Sequence, residues 1–162
     1  PYARRLAVWR TLDPTRLPPP ALAAVAQEFA DARPDNADAW RLLGRARLAA
    51  GEAFAAVRAL ERAAELGGTA DDYAALGESL VVFNEGQVRG GAAAAFAEAV
   101  KRDPASVPGR YGLAQAQLAA GDIAGGRAAL AALAASLPTS DERRAALEAE
   151  VAALAQDPTA LP

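Results

Sequence analysis

Apolar residues recur at intervals of three and four along nearly the whole chain, and short polar, Gly or Pro stretches interrupt them. That period predicts amphipathic helices rather than strands. Residues 1–13 form a first short helix, with Tyr2, Leu6 and Trp9 on one face and Arg4, Arg5 and Arg10 mostly elsewhere. Pro14 and Pro18 to Pro20 then break the pattern, so a stiff extended linker is expected. Residues 21–33 carry Leu22, Val25, Ala26 and Phe29 on one face, and Pro34 stops that helix. Asp35 and Asn36 open the next one as its capping zone. Paired helical stretches follow over 37–50 and 53–66, then twice more, and a charged helix over 139–156 ends the series.

The stretch 37–68 organises the rest. Trp40, Leu43, Gly44, Gly51, Ala56 and Ala63 stand at spacings with a physical cause. Two antiparallel helices that cross closely need Gly44, Ala56 and Ala63 at the crossing, where there is no room for a side chain. Trp40 and Leu43 fill the wider gaps. Gly51 makes the turn, where a positive φ is cheap only for glycine. The pattern returns near residue 70, with Tyr73 in the Trp place, then Leu76-Gly77, Ala92, Phe96, Ala99 and Pro104. It returns again near Val107, with Leu113, Ala114, Gly121 and Pro138. These residues resemble the tetratricopeptide repeat (TPR). The expected fold is all-α: a TPR helical-hairpin solenoid (an α-α superhelix) with capping helices at both ends. Its repeats lie near 37–70, 70–104 and 107–138 within a domain of residues 21–157, and residues 1–20 are an N-terminal segment and linker. Helix 139–156 seals the last repeat, with Leu147, Val151 and Leu154 inward. Thr139 and Glu142 form its expected capping box, and Asp157-Pro158 its stop.

Composition supports this reading and removes most chemistry. Apolar residues make up 52% of the 162, much of that alanine, while aromatics make up only 6%. Net charge is −3, so no basic footprint for nucleic acid exists. The chain has no Cys, His or Met. That removes the thiolate nucleophile, the imidazole base, the usual zinc ligands and the usual haem ligands. No catalytic pair of the usual kind stands out, and the Gly pairs at 67–68, 90–91 and 125–126 lack the spacing of a phosphate loop. No catalytic residue, metal site or cofactor is expected. No long uncharged apolar run is present either. The start at Pro1 reads as that of an excised fragment whose targeting segment lies elsewhere.

What remains is a groove. In a solenoid of hairpins the first helices of successive repeats line a concave face. Its outward places hold Arg41, Arg45 and Leu48 in repeat one, Ala74, Glu78, Val81 and Val82 in repeat two, and Tyr111, Gln115 and Leu118 in repeat three. Leu48, Val81, Val82 and Leu118 form an apolar floor, and the polar residues form rails, an arrangement suited to an amphipathic helix. A longer connection around Asn84 to Gly91 in repeat two is either a binding element or a tolerated insertion.

Three further stretches narrow the resemblance. They are the Pro-rich lead into PDNADAWRLLGRARLAAG, the segment YAALGESLV with a long loop ending in GQV, and AAAFAEAVKRDPASVPGRYGLAQAQLAAGD. Over roughly residues 20–155 they resemble the periplasmic TPR domain of the cytochrome c maturation family CcmI (CycH). The sequence departs from that pattern at Leu130 and over 139–143, where many relatives carry a larger aromatic. The resemblance implies a periplasmic domain tethered to the inner membrane by an N-terminal anchor outside this chain. It implies a chaperone that holds the C-terminal helix of apocytochrome c and passes it to the haem-ligation complex. A chain without thiols cannot trap a client's cysteines in mixed disulfides, which is compatible with that role. Two other classes remain open: a TPR scaffold of another envelope complex, and a solenoid that self-associates through its groove.

Overall fold

The computed structural model describes residues 2–156, and side chains from Arg4 onward. Asp157-Pro158, the expected stop of the last helix, and the Tyr2 side chain lie outside the described residues. Nine α-helices occur among the described residues: α1 Tyr2–Trp9, α2 Pro19–Ala32, α3 Ala37–Ala49, α4 Ala53–Glu65, α5 Ala70–Phe83, α6 Gly91–Arg102, α7 Val107–Ala119, α8 Ile123–Ser136 and α9 Glu142–Gln156. Each packs against its neighbours in the chain, and α5 also meets α3 and α7. Three hairpins result, α3/α4, α5/α6 and α7/α8, stacked with their first helices side by side. The fold is the expected TPR helical-hairpin solenoid.

The starts of the helices are set by side chains. Asn36 accepts from the Ala39 N–H at 3.0 Å, Ser106 from Gly109 at 3.3 Å and Asp122 from Gly125 at 2.9 Å. Thr69 and Asp72 form a complete capping box at the start of α5. Each such cap contributes about 1 kcal/mol. Gly51 and Gly121 turn the first and third hairpins at φ of 79° and 85°.

Small residues set the distance between helices. A Cβ on Gly44 would stand 2.5 Å from Leu60, and one on Gly126 2.6 Å from Leu118. The buried Phe96 ring serves two helices at once. A Cβ on Gly77 of α5 would meet it at 2.6 Å, and one on Gly112 of α7 at 2.3 Å. The core therefore runs along the stack as successive clusters: Ala26, Leu43 and Ala59; then Val57, Leu60 and Leu76; then Leu118, Leu130, Leu133, Leu147 and Leu154. Such a core grows by nearest-neighbour contacts.

Three details differ from expectation, in the proline stretch, at the start of α9 and at Trp40, and one, the place of α1, agrees with it. The prolines do not form an extended linker: Pro14–Arg16 is a 3-10 turn, and Pro19 and Pro20 occupy the first turn of α2. There a missing N–H costs nothing, and a fixed φ suits the helix. Helix α9 begins at Glu142 rather than at Thr139. Asp141 takes the capping role, accepting from the Arg143 N–H at 3.0 Å. Trp40 is only half-buried, and its Nε1–H donates to the Pro34 carbonyl at 2.9 Å. Helix α1 packs on α2 through the buried Leu6, and Arg10 pairs with Glu28. It therefore caps the N-terminal end of the stack.

Candidate functional site

The first helices α3, α5 and α7 line an open groove of about 450 Å³. Arg45, Leu48 and Ala49 come from α3; Asp71, Ala74, Ala75 and Glu78 from α5; and Pro108 from the start of α7. Of the residues expected there, Arg45, Leu48, Ala74 and Glu78 are brought together. Ala74 lines the base of the groove, although at 2% exposure it adds little surface. Arg45 is exposed and takes no hydrogen bond or ion pair among the described residues. Glu78 lies across the floor from it. Burial at the groove wall pushes the Glu78 carboxyl above its usual range, and the charge of Arg45 offsets part of that.

The structure corrects the expected places of Leu118, Arg41, Val81 and Val82. Leu118 is 1% exposed and packs on Gly126 in the third core cluster, so it offers the groove no surface. Its position on α7 faces α8 instead of the open side. Arg41 is committed elsewhere. Its Nη2 donates to Asp72 Oδ2 at 2.8 Å, its Nε to the other oxygen, and its Nη1 to Asp38. Burial alone would raise the Asp72 carboxyl, but Arg41 and the Thr69 cap outweigh it and hold it below the usual range. Arg41 is thus a brace between the first two hairpins.

The remaining positions surround the groove. Val81 is half-buried and Val82 exposed, one turn beyond Glu78, and neither lines the groove. Gln115 donates to Glu150 of α9 at 2.6 Å. Tyr111 is 39% exposed; burial raises its hydroxyl pKa, and the charge of Glu150 raises it further. Helix α9 thereby bounds the far end of the concave face with its own polar residues.

One feature escaped the sequence pattern. Phe54 and Phe83 are 62% and 51% exposed, with ring centroids 5.8 Å apart. Phe54 stands in the first turn of α4 and Phe83 closes α5, places where the repeat demands no large apolar side chain. A bulky aromatic at a place without a packing duty is the signal that marks them.

Residues 89–151, from the end of the long connection into α9, match the tetratricopeptide repeat family. No curated protein matches the chain. The match covers less than half of the chain; together with the fold it supports a TPR scaffold of the kind that serves protein–protein interaction. No helix among the described residues is long and apolar enough to cross a membrane.

Proposed function

We propose that the domain is a periplasmic chaperone of c-type cytochrome maturation. Its concave groove takes the C-terminal amphipathic helix of apocytochrome c, and the bound client is passed to the haem-ligation complex. The observation that carries the binding mode is the groove itself. An apolar floor at Leu48 and Ala74 runs between an uncommitted cation, Arg45, and a carboxylate, Glu78. An amphipathic helix can bury its apolar stripe on that floor and meet both charges along its edges. The identity of the client, the periplasmic location and the membrane tether rest on the resemblance to CcmI. In a folded cytochrome the same apolar stripe is packed against its own core, so the groove favours the unfolded form. Ordering a free segment costs about 2–5 kcal/mol, which makes the expected affinity moderate.

The test is a titration of the domain with a synthetic C-terminal helix of a c-type apocytochrome, beside the apo- and holoproteins and haem. The peptide and the apoprotein are expected to bind with a Kd of about 1 μM. Equal affinity for holocytochrome, or a Soret shift with stoichiometric haem, would overturn the reading. If no cytochrome peptide binds, the domain is a scaffold for another partner.

A further inference from the structure

On the side of α3 away from the groove lies a cleft of different chemistry. It has a volume of about 400 Å³ and opens where α2, α3 and α4 meet. Trp40, Leu43 and Arg47 face it, whereas Arg45 and Leu48 face the groove. At about 100° per residue the two sets point to opposite sides of the helix.

Three arginines edge the cleft, Arg47, Arg58 and Arg62, and no carboxylate lines it. Arg47 is held by Glu52 at 2.8 Å and by Gln27 at 2.6 Å. Arg62 is held by Glu65 at 3.0 Å. Arg58 is exposed and takes no hydrogen bond or ion pair among the described residues. Between the guanidinium groups stand Trp40, whose N–H is already spent on Pro34, and the exposed ring of Phe54.

The equivalent places in the other hairpins differ. In the second, Arg102 lies 4.0 Å over the ring of Tyr73, the counterpart of Trp40, and covers it. In the third, the corresponding cleft holds a single arginine, Arg110, and no aromatic ring. Uncovered rings beside an unspent guanidinium therefore belong to the first hairpin.

We propose that this convex cleft is a second docking site, and that its occupant is a short acidic peptide segment bearing one aromatic or large aliphatic side chain. The apolar side chain enters between Trp40 and Phe54, and a flanking carboxylate meets Arg58, the one of the three arginines not already held by a partner. Arginine and aromatic side chains are the usual anchors of such contacts. Length selects a short peptide over a nucleic acid strand. A short segment can set a carboxylate on Arg58, the guanidinium without an ion pair, and end there, whereas a long polyanion must also pass Asp35, Glu52 and Glu65 and a chain at −3. Because cleft and groove lie on opposite sides of α3, both can be filled together, and the domain becomes an adaptor between two proteins.

The probe is a fluorescein-labelled peptide, Asp-Glu-Phe-Asp-Glu-Leu-Asp, followed by anisotropy against the amide version, Asn-Gln-Phe-Asn-Gln-Leu-Asn. The acidic peptide is expected to bind at least about tenfold more tightly, with affinity falling as salt rises. Arg58→Glu and Phe54→Ala are each expected to weaken it by about tenfold with the circular dichroism spectrum unchanged, because both side chains are exposed. Arg45→Glu and prior saturation with the groove helix are expected to leave it unchanged. The proposal is overturned by equal binding of the two peptides, by unaltered binding to Arg58→Glu, or by competition with the groove helix. Tighter binding of a single-stranded oligonucleotide overturns it too, and so does a concentration-dependent dimer that Phe54→Ala abolishes. Failure of the cytochrome helix to bind overturns the groove reading alone and leaves this test intact.

Discussion

Arg41 closes two hydrogen bonds on Asp72, 31 residues further along, and Asp72 is also the return arm of the capping box that starts α5. One carboxylate thus starts the second hairpin and ties it to the first. Asp72 is fully buried, and the Arg41 side chain is 24% exposed. The pair spans the joint between repeats, the place where a solenoid's cooperativity is decided.

Arg41→Ala leaves that carboxylate buried with only its cap. A loss of about 2–4 kcal/mol is expected, near the range for breaking a buried pair by removing one partner. Urea denaturation followed by circular dichroism measures it. A loss below about 0.5 kcal/mol would show a surface ion pair instead of a brace.

The same carboxylate sets an acid limb. Its folded pKa lies below the unfolded value, taken as 3.8, so its stabilisation is full above that value. It is lost as pH falls through the lower folded value. Glu78 has the opposite sign: its folded pKa lies above the reference 4.5, so its stabilising term is present below 4.5 and is lost as pH rises through the folded value. Melting temperatures from pH 3 to pH 7 test both. Asp72→Asn is expected to flatten the acid limb, and Glu78→Gln to raise stability at neutral pH.

Gly77 of α5 and Gly112 of α7 both stand close against the Phe96 ring. Gly112→Ala puts a methyl group 2.3 Å from that ring. Overpacking costs about 1–3 kcal/mol, and the better helix propensity of alanine returns at most about 1 kcal/mol. A net destabilisation is expected from thermal melts. Gly91→Ala is the control, because its nearest neighbour, Leu80, stands at 3.4 Å. It is expected to be neutral or slightly stabilising.

Arg45→Gln is expected to weaken binding of the proposed client helix by about 1–3 kcal/mol with only a small fall in melting temperature, since the side chain has no hydrogen bond or ion pair to lose and only offsets part of the burial of Glu78. Isothermal titration beside a thermal melt separates the two effects. A large fall in melting temperature with intact binding would place Arg45 in the framework and the peptide elsewhere.

The fold was legible because its rules are local. The positions of Gly44, Gly51 and Gly77 state a close crossing, a turn and another close crossing, and the structure has all three. The groove was legible only in part, because a helical wheel gives direction and not neighbours. Arg41 points outward on α3 as the pattern says, yet the partner it finds is 31 residues away in sequence. Leu118 meets Gly126 of α8, whose missing side chain leaves the room that holds it inward. Thr139 resembles a cap, but Asp141 reaches the free N–H groups of α9 instead. In each case a tertiary neighbour decided between two locally acceptable states.

Helix α9 does more than seal the core. Through the Gln115–Glu150 bond it ends the row of first helices at α7. Axes of packed helices stand about 8–10 Å apart, so α3 to α7 span about 20 Å. A ligand helix rises about 1.5 Å per residue, and about 13 residues cover that distance. On the proposed reading the groove therefore acts as a ruler: helices of fewer residues leave part of the row from α3 to α7 uncovered, and longer ones gain nothing from the residues that overhang.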